Sequence, residues 1–301
     1  MGRVLTLLYH RVNYLRNDIN LLAVNPDNFY EQMVYLKRNY KIMKFDEEWD
    51  ALDQEAVCIT FDDGYFDNYQ YAIPILEELN IPATIFISTG NLNTQKEYWW
   101  DELERNLLLE NWHYDQVFEL KDDIFSCKWK TDTYEERKEL YNTLHWLMLK
   151  NINVSKREDW MQQLRNWSKA GLNGRKNNYS LQLNEMDEFP TELITIGAHT
   201  VNHPSLSKLT EEEQRYEITT SKDTLEKIFK QKVKVFSYPF GTLNDYNECT
   251  INICRECGFN KVASNYPGIW DSQCDLFQIP RYIIRDWNIA DFKDEIRLFW
   301  G

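Results

Sequence analysis

Two short runs, VCITF at 57–61 and ATIFIS at 83–88, are apolar along almost their whole length. A strand that buries one face alternates apolar with polar residues. A continuous apolar run has to be covered on both faces, which is the condition of a parallel sheet flanked by helices. A helical pattern lies between the two runs, from about residue 66 to 79, and Asn80 and Pro82 punctuate its end. The rhythm begins earlier, with RVLTLLY (3–9) as a strand and 26–40 as an amphipathic helix carrying Phe29, Met33 and Leu36 on one face. It resumes late in the chain with LITIGAH (193–199), a helix over about 211–229 and KVFSYPF (234–240). A helix over about 245–257, a short strand near KVAS (261–264), LFQIPRYIIR (276–285) and a terminal helix complete it. Thr210 followed by Glu213 is a capping box, which fixes the start of the 211–229 helix. Strand–helix alternation of this kind predicts a βα barrel or an open α/β sheet.

Between about 95 and 190 the alternation stops. Charged and aromatic residues dominate there, with helical periodicity in 134–150 and 156–168 and turn signals at Gly171 and Gly174. This stretch reads as a helical insertion into a single catalytic domain of residues 1–301. It is expected to cap one side of a cleft.

The formal charge of −14, from 34 basic against 48 acidic residues, excludes partners that need a basic footprint, such as nucleic acid or an anionic membrane surface. No apolar run reaches the roughly 18 residues that would cross a bilayer. The start, MGRVLTLLYHRV, reads as a strand and not as a signal peptide. Six cysteines make no dense framework in a chain of 301 residues, and Cys254-x-x-Cys257 has no second pair to complete a zinc site. A cytoplasmic protein is expected. Aromatic residues make up 15% of the chain, enough to serve both a core and sugar-ring faces.

In a βα barrel, chemistry collects at the C-terminal ends of the strands. Asp62 and Asp63 end VCITF, His199 and His203 end LITIGA within GAHTVNHP, Ser237 to Gly241 end KVKVF, His10 ends RVLTLLY, and Arg281 ends FQIP. Two histidines four apart plus a carboxylate make a divalent-metal triad. Pro204 keeps their spacing off a helix, so the loop must fold back to aim both imidazoles at one point. One of the two aspartates then serves as a ligand, while its neighbour is available as general base on a water. Capping of the following helix competes for one aspartate but does not explain both.

TFDDG (60–64) and HTVNHP (199–204) resemble the first two motifs of the polysaccharide deacetylase family (carbohydrate esterase family 4, the NodB-homology domain). The resemblance covers residues 1–95 and 190–285. It implies a distorted (β/α)7 barrel carrying the helical insertion, and metal-dependent hydrolysis of acyl groups on sugars. It makes Asp62 the general base and Asp63, His199 and His203 the ligands of a divalent metal, zinc first, with cobalt, nickel or manganese as alternatives. The family's third motif, RxPY, corresponds to Ser237-Tyr238-Pro239-Phe240, and the arginine that orients the base is missing. Arg281, in IPRY, is the candidate replacement, and the Phe240 N–H the candidate oxyanion donor. The family's late LxH histidine is also absent, while LLYHRV (5–12) resembles members whose acid histidine sits on the N-terminal strand, which nominates His10. Tyr238, Pro239, Phe240 and Gly241, with Trp99, Trp100 and Asp101 from the YWWD stretch, are the candidate substrate-binding residues. The two tryptophans read equally well as anchors of the inserted helices. Members with the YHRV start and a WWD insertion resemble those of surface-glycan biosynthesis in bacteria. The implied reaction is removal of an N-acetyl group from a sugar or glycan precursor. A hydrolase of another C–N bond (formamide or ureide) and a catalytically impaired sugar-binding homologue are the alternatives.

Overall fold

The computed structural model describes residues 2–15, 17–109, 116–123, 126–150 and 153–301. They form two compact units, Met1–Asn93 with Leu181–Gly301, and Thr94–Ser180. In chain order the first unit opens with β1 (Val4–Tyr9), β2 (Arg11–Val12), β3 (Ala23–Val24), α1 (Pro26–Asn39), β4 (Lys41–Met43) and β5 (Ala56–Phe61). A π-helical turn, Asn68–Ala72, then runs into α2 (Ile73–Glu78), and β6 (Ala83–Ile87) follows. The second unit holds α3 (Trp99–Leu108), β7 (Val117–Lys121), β8 (Ser126–Lys130), α4 (Tyr134–Lys150) and α5 (Val154–Ser168). The first unit resumes with α6 (Leu183–Asp187), β9 (Ile194–Ala198), α7 (Glu211–Phe229), β10 (Val235–Ser237), α8 (Glu248–Glu256), β11 (Lys261–Ala263), β12 (Tyr282–Ile283) and α9 (Ile289–Trp300).

The strands of the first unit pair in parallel in the order β11-β10-β9-β6-β5-β1-β12, with β4 beside the first half of β5. The two ends of this curled sheet meet through one segment. Ile279 bridges to Ala263 of β11, Arg281 donates its N–H to the Tyr266 carbonyl, and Tyr282 and Ile283 pair with Leu7 and Leu8 of β1. The sheet thus closes into the expected distorted barrel, and Arg281 stands in the closing segment.

Strand side chains point alternately to the two faces. Leu5, Leu7 and Tyr9, like Val57, Ile59 and Phe61, face outward into the large core under the helices. Val4, Ala56 and Cys58, with Phe86, Val235, Ala263 and Ile279, fill the barrel interior, which Trp49 and Trp270 join in edge-to-face contact. Gly197 in β9 is required by this packing, since a Cβ there would lie 2.3 Å from the Phe86 ring. Carried onward in steps of two, the inward parity of these strands reaches His10, Asp62, His199, Ser237 and Arg281. A single periodicity therefore delivers all five to one mouth.

The capping box of Thr210 and Glu213 forms in both directions. The structure differs from the sequence reading in the inserted region. VFELK and SCKWK form an antiparallel hairpin, β7–β8, where only helices were expected. Its alternation lasts just five residues per strand, with Phe118 and Leu120 buried between exposed neighbours. The unit ends at Ser180, so residues 181–190, read as insertion, return to the first unit as α6. Within the second unit α3 packs on α4 and α5, and Arg105 and Arg175 share the buried Glu97 at 2.5 and 2.6 Å.

His145 of α4 lies between the rings of Trp99 and Tyr141, and burial pushes its pKa down to about 4. The unfolded chain therefore binds an extra proton between about pH 6.5 and 4, and stability falls as pH drops through that window. The thermal midpoint should fall more steeply there for the wild type than for His145→Phe; parallel slopes would contradict this assignment.

Candidate active site

β5 ends by turning over its own aspartates. The Asp62 N–H donates to the Tyr9 carbonyl at 3.0 Å, Asp63 adopts φ +73° and Gly64 φ +79°, and Ser88 donates its N–H to the Asp63 carbonyl. A Cβ on Gly64 would also approach Ile87 to 2.9 Å, so glycine is needed there for both conformation and space. The reversal sends two adjacent carboxylates in different directions.

Asp62 meets Arg281 in a bidentate pair, Nη1 to Oδ1 at 2.8 Å and Nη2 to Oδ2 at 2.7 Å. The guanidinium is fully engaged. Its Nε donates to the Ser264 carbonyl, Nη1 also reaches Thr60 Oγ1, Nη2 reaches Ser237 Oγ at 2.8 Å, and the cation lies over the Phe86 ring. Ser237 donates to Asp62 Oδ2 at 3.2 Å, so the residue at the RxPY arginine position helps hold the same carboxylate. Both members of the pair are buried. Burial alone would raise the Asp62 pKa, but Arg281 and then His199 bring it below the ordinary carboxylate value.

Asp63 faces the histidines. Its Oδ1 lies 3.6 Å from His199 Nε2 and 3.3 Å from His203 Nε2, and the three donor atoms sit within 4.8 Å of one another. Tetrahedral ligands on bonds of about 2.1 Å are separated by about 3.4 Å, so this spacing fits a shared cation. His199 Nδ1 lies 2.7 Å from the Ser237 carbonyl, which assigns the proton to Nδ1 and leaves the Nε2 lone pair for a metal. Burial would lower the His199 pKa, but Asp62 and Asp63 raise it. Burial would raise that of Asp63, yet His199 and His203 hold it well below the usual range. The field that retains a proton here retains a divalent cation in its place. The donor set fits a divalent metal.

The fold-back of the HTVNHP loop has a visible cause. Thr200 and His203 have φ of +64° and +51°, and Thr200 Oγ1 accepts the His203 N–H. The buried Glu217 of α7 accepts from the N–H groups of Val201 and Asn202 and from the Asn202 amide. Among the described residues, four of the nine non-glycine positions with positive φ are Asp63, Thr200, His203 and Phe240, a concentration of backbone strain at one place.

His10 continues β1, and its carbonyl accepts from Asn68 Nδ2 at 2.9 Å, in the π-helical turn. Next to it, the buried Arg11 pairs with Asp67 at 2.8 Å and lies over the Tyr65 ring, while Asn13 donates to the same carboxylate. Burial lowers the His10 pKa, and Asp63 and Asp62 oppose that shift. The Phe240 ring stands edge-on to His203 at 4.6 Å, and its N–H has no acceptor among the described residues.

A model of the polysaccharide deacetylase family matches residues 50–117 and 170–262. The chain belongs to the polysaccharide deacetylase family. It is 24% identical over 282 residues to the Bacillus subtilis protein YxkH, itself named for the family, covering 91% of this chain and 69% of that one. It is 25% identical over 300 residues to the poly-β-1,6-N-acetyl-D-glucosamine N-deacetylase of Staphylococcus aureus, covering 94% and 79%. The Streptococcus pyogenes deacetylase PplD has the same fold at a TM-score of 0.61 and 20% identity, covering 97% of each chain. IcaB from Ammonifex degensii matches at a TM-score of 0.60 and 16% identity, covering 99% and 97%.

Some expectations need correcting. Tyr238 is fully buried, stacks on Tyr246 and donates its hydroxyl to the Phe277 carbonyl, because its parity points outward to the helices. Its side chain belongs to the core. Pro239 and Gly241 are also buried, and Gly241 donates to the Pro239 carbonyl in a tight turn that presents Phe240. Trp99 and Trp100 are buried within the second unit, packed on His145, Arg157 and Tyr98, which favours the anchoring role. Asp101 sits in the first turn of α3, where a carboxylate suits the helix N-terminus. Sequence reasoning missed Ser237 Oγ, Thr60, Asn68, Glu217 and the Arg11–Asp67 pair. Asp67, five positions beyond Asp62 in TFDDGYFDN, gave the only signal for the last.

Removing Arg281 would leave a buried, uncompensated carboxylate. Arg281→Leu should cost roughly 3–5 kcal/mol in urea unfolding, with a second substitution, Asp62→Asn, restoring part of the loss. Strictly additive losses would show that the two side chains are not coupled.

Proposed function

We propose that this chain hydrolyses an N-acetyl group from a glycan, with Asp62 as general base, His10 as general acid and a divalent metal, zinc first, held by Asp63, His199 and His203. The observation that carries the reading is the division of labour between adjacent aspartates: Asp62 is locked by Arg281 beside a triad that fits a cation. The metal would supply Lewis-acid polarisation of the acyl carbonyl and acidify a water molecule. Asp62, held ionised, takes the proton from water. Arg281 and Ser237 keep its oxygens aimed and damp their motion. The Phe240 N–H donates to the oxyanion as the carbonyl becomes tetrahedral. His10 delivers a proton to the departing amine, without which that group is a poor leaving group, and acetate is released.

The Staphylococcus aureus relative supports N-acetylglucosamine polymers as the substrate class. Residues 1–301 are read as one catalytic domain, with Thr94–Ser180 as its insertion. All six cysteines are free thiols, which supports a reducing compartment. No helix among the described residues is long and apolar enough to cross a membrane.

Acetate release from N-acetylated glucosamine oligomers, assayed with and without chelator, tests the reaction. The proposal expects chelator-sensitive acetate; formate or carbamate products would move the assignment to another C–N bond. His10→Ala should lower kcat by roughly 10²–10⁴-fold, and a near wild-type kcat would remove His10 as the acid. Elemental analysis should find about one divalent ion per chain, lost in His199→Ala; unchanged metal content in that variant would refute the triad.

A further inference from the structure

α7 buries a stripe made of Gln214, Glu217, Ile218, Ser221 and Leu225. This spacing is the core-facing side of an amphipathic helix, where a carboxylate is out of place. The acceptors of the buried Glu217 are spent on the histidine loop. Oε2 takes the N–H groups of Val201 and Asn202, both at 2.8 Å, and Oε1 takes the Asn202 amide at 2.7 Å. All three donors are neutral, and no lysine or arginine among the described residues pairs with this carboxylate. A buried charge satisfied only by neutral donors carries a desolvation cost that packing does not offset.

The loop it holds would not keep its shape unaided. Thr200, a β-branched residue, has φ +64° and His203 has φ +51°, both in the left-handed region. The carbonyl side of the loop is tied to the end of β6. Thr89 donates its N–H to the Thr200 carbonyl at 3.0 Å, Gly90 to the Val201 carbonyl at 2.8 Å, and Ser88 Oγ reaches that same carbonyl at 3.2 Å. Gly90 has no room for a side chain, since a Cβ would lie 2.6 Å from the Val201 oxygen. Ser88 also donates its N–H to the Asp63 carbonyl at 3.1 Å, so one residue braces both segments that carry the candidate ligands. Glu217 closes the opposite side of the loop, through its N–H groups.

We propose that Glu217 is the positioning residue of the cation site. It holds the HTVNHP loop in the conformation that aims His199 and His203 at Asp63, and its charge favours a divalent cation beside that loop. The inference rests on the cation site of the proposed reaction and gives a helix outside that site control over its affinity. A loop released from Glu217 spends less time in the ligand geometry, and the apparent dissociation constant rises as the competent fraction falls. Loss of the negative charge acts in the same direction.

The test is titration of the metal-depleted full chain with zinc in competition with a chromophoric chelator, alongside thermal unfolding without metal. Glu217→Gln, which keeps an acceptor for the two N–H groups and loses the charge, should raise the zinc Kd roughly tenfold. Glu217→Ala, which loses both, should raise it roughly 100-fold. A purely structural role would lower the thermal midpoint and leave the zinc Kd where it was, and that result in a folded variant overturns the proposal. Should both variants fail to fold, Asn202→Ala removes one of the three donors. Its zinc Kd should then rise several-fold, and an unchanged value overturns the proposal equally. A wild type that binds no zinc, or His199→Ala binding it as tightly as the wild type, removes the cation site itself. Normal wild-type binding with an unchanged Glu217→Gln removes only the role of Glu217.

Discussion

The bidentate contact between Arg281 and Asp62 joins the closure of the barrel to the chemistry at its mouth. Arg281 belongs to the segment that bridges β11 to β1, and its guanidinium reaches across the interior to the end of β5. The pair is buried, so its electrostatic attraction has to offset a large desolvation cost, and it does so only with good geometry and with every remaining donor satisfied. Both conditions hold, through Ser264, Thr60 and Ser237. A barrel that failed to close would lose the orientation of Asp62, and Asp62 without its arginine would burden the closure.

From that contact the roles of the neighbouring groups follow. Asp62 is committed to Arg281 and Ser237, which leaves Asp63, turned over by its left-handed backbone, as the carboxylate for the two histidines. Ser237 contributes twice, its hydroxyl to Asp62 and its carbonyl to His199 Nδ1, and so couples Asp62 to the Asp63–His199–His203 cluster through one residue. A small side chain at that position leaves room for an arginine arriving from the other side of the ring.

Much of this was legible before any coordinates. Unbroken apolar runs such as VCITF read as interior strands, and the rule that chemistry collects at strand C-terminal ends gathers His10, Asp62, His199 and Arg281 at one mouth. What escaped were features whose cause is non-local or too short to register. The two strands of β7–β8 are five residues each, set in a charged and aromatic stretch with helical neighbours. Glu217 is one of many glutamates on α7, and only the folded loop shows that it holds Val201 and Asn202. The burial of Tyr238 also escaped, because motif correspondence ignores parity: Ser237 faces inward, so the next side chain faces the helices.

The claim most exposed to refutation is that the adjacent aspartates have separate roles. Crystals of the zinc-loaded protein, measured on both sides of the metal absorption edge, address it directly. The account predicts a single anomalous peak about 2.0–2.2 Å from one oxygen of Asp63 and from Nε2 of both His199 and His203, with Asp62 still paired to Arg281. A peak elsewhere, or one that draws Asp62 off Arg281 as a fourth protein ligand, would contradict it.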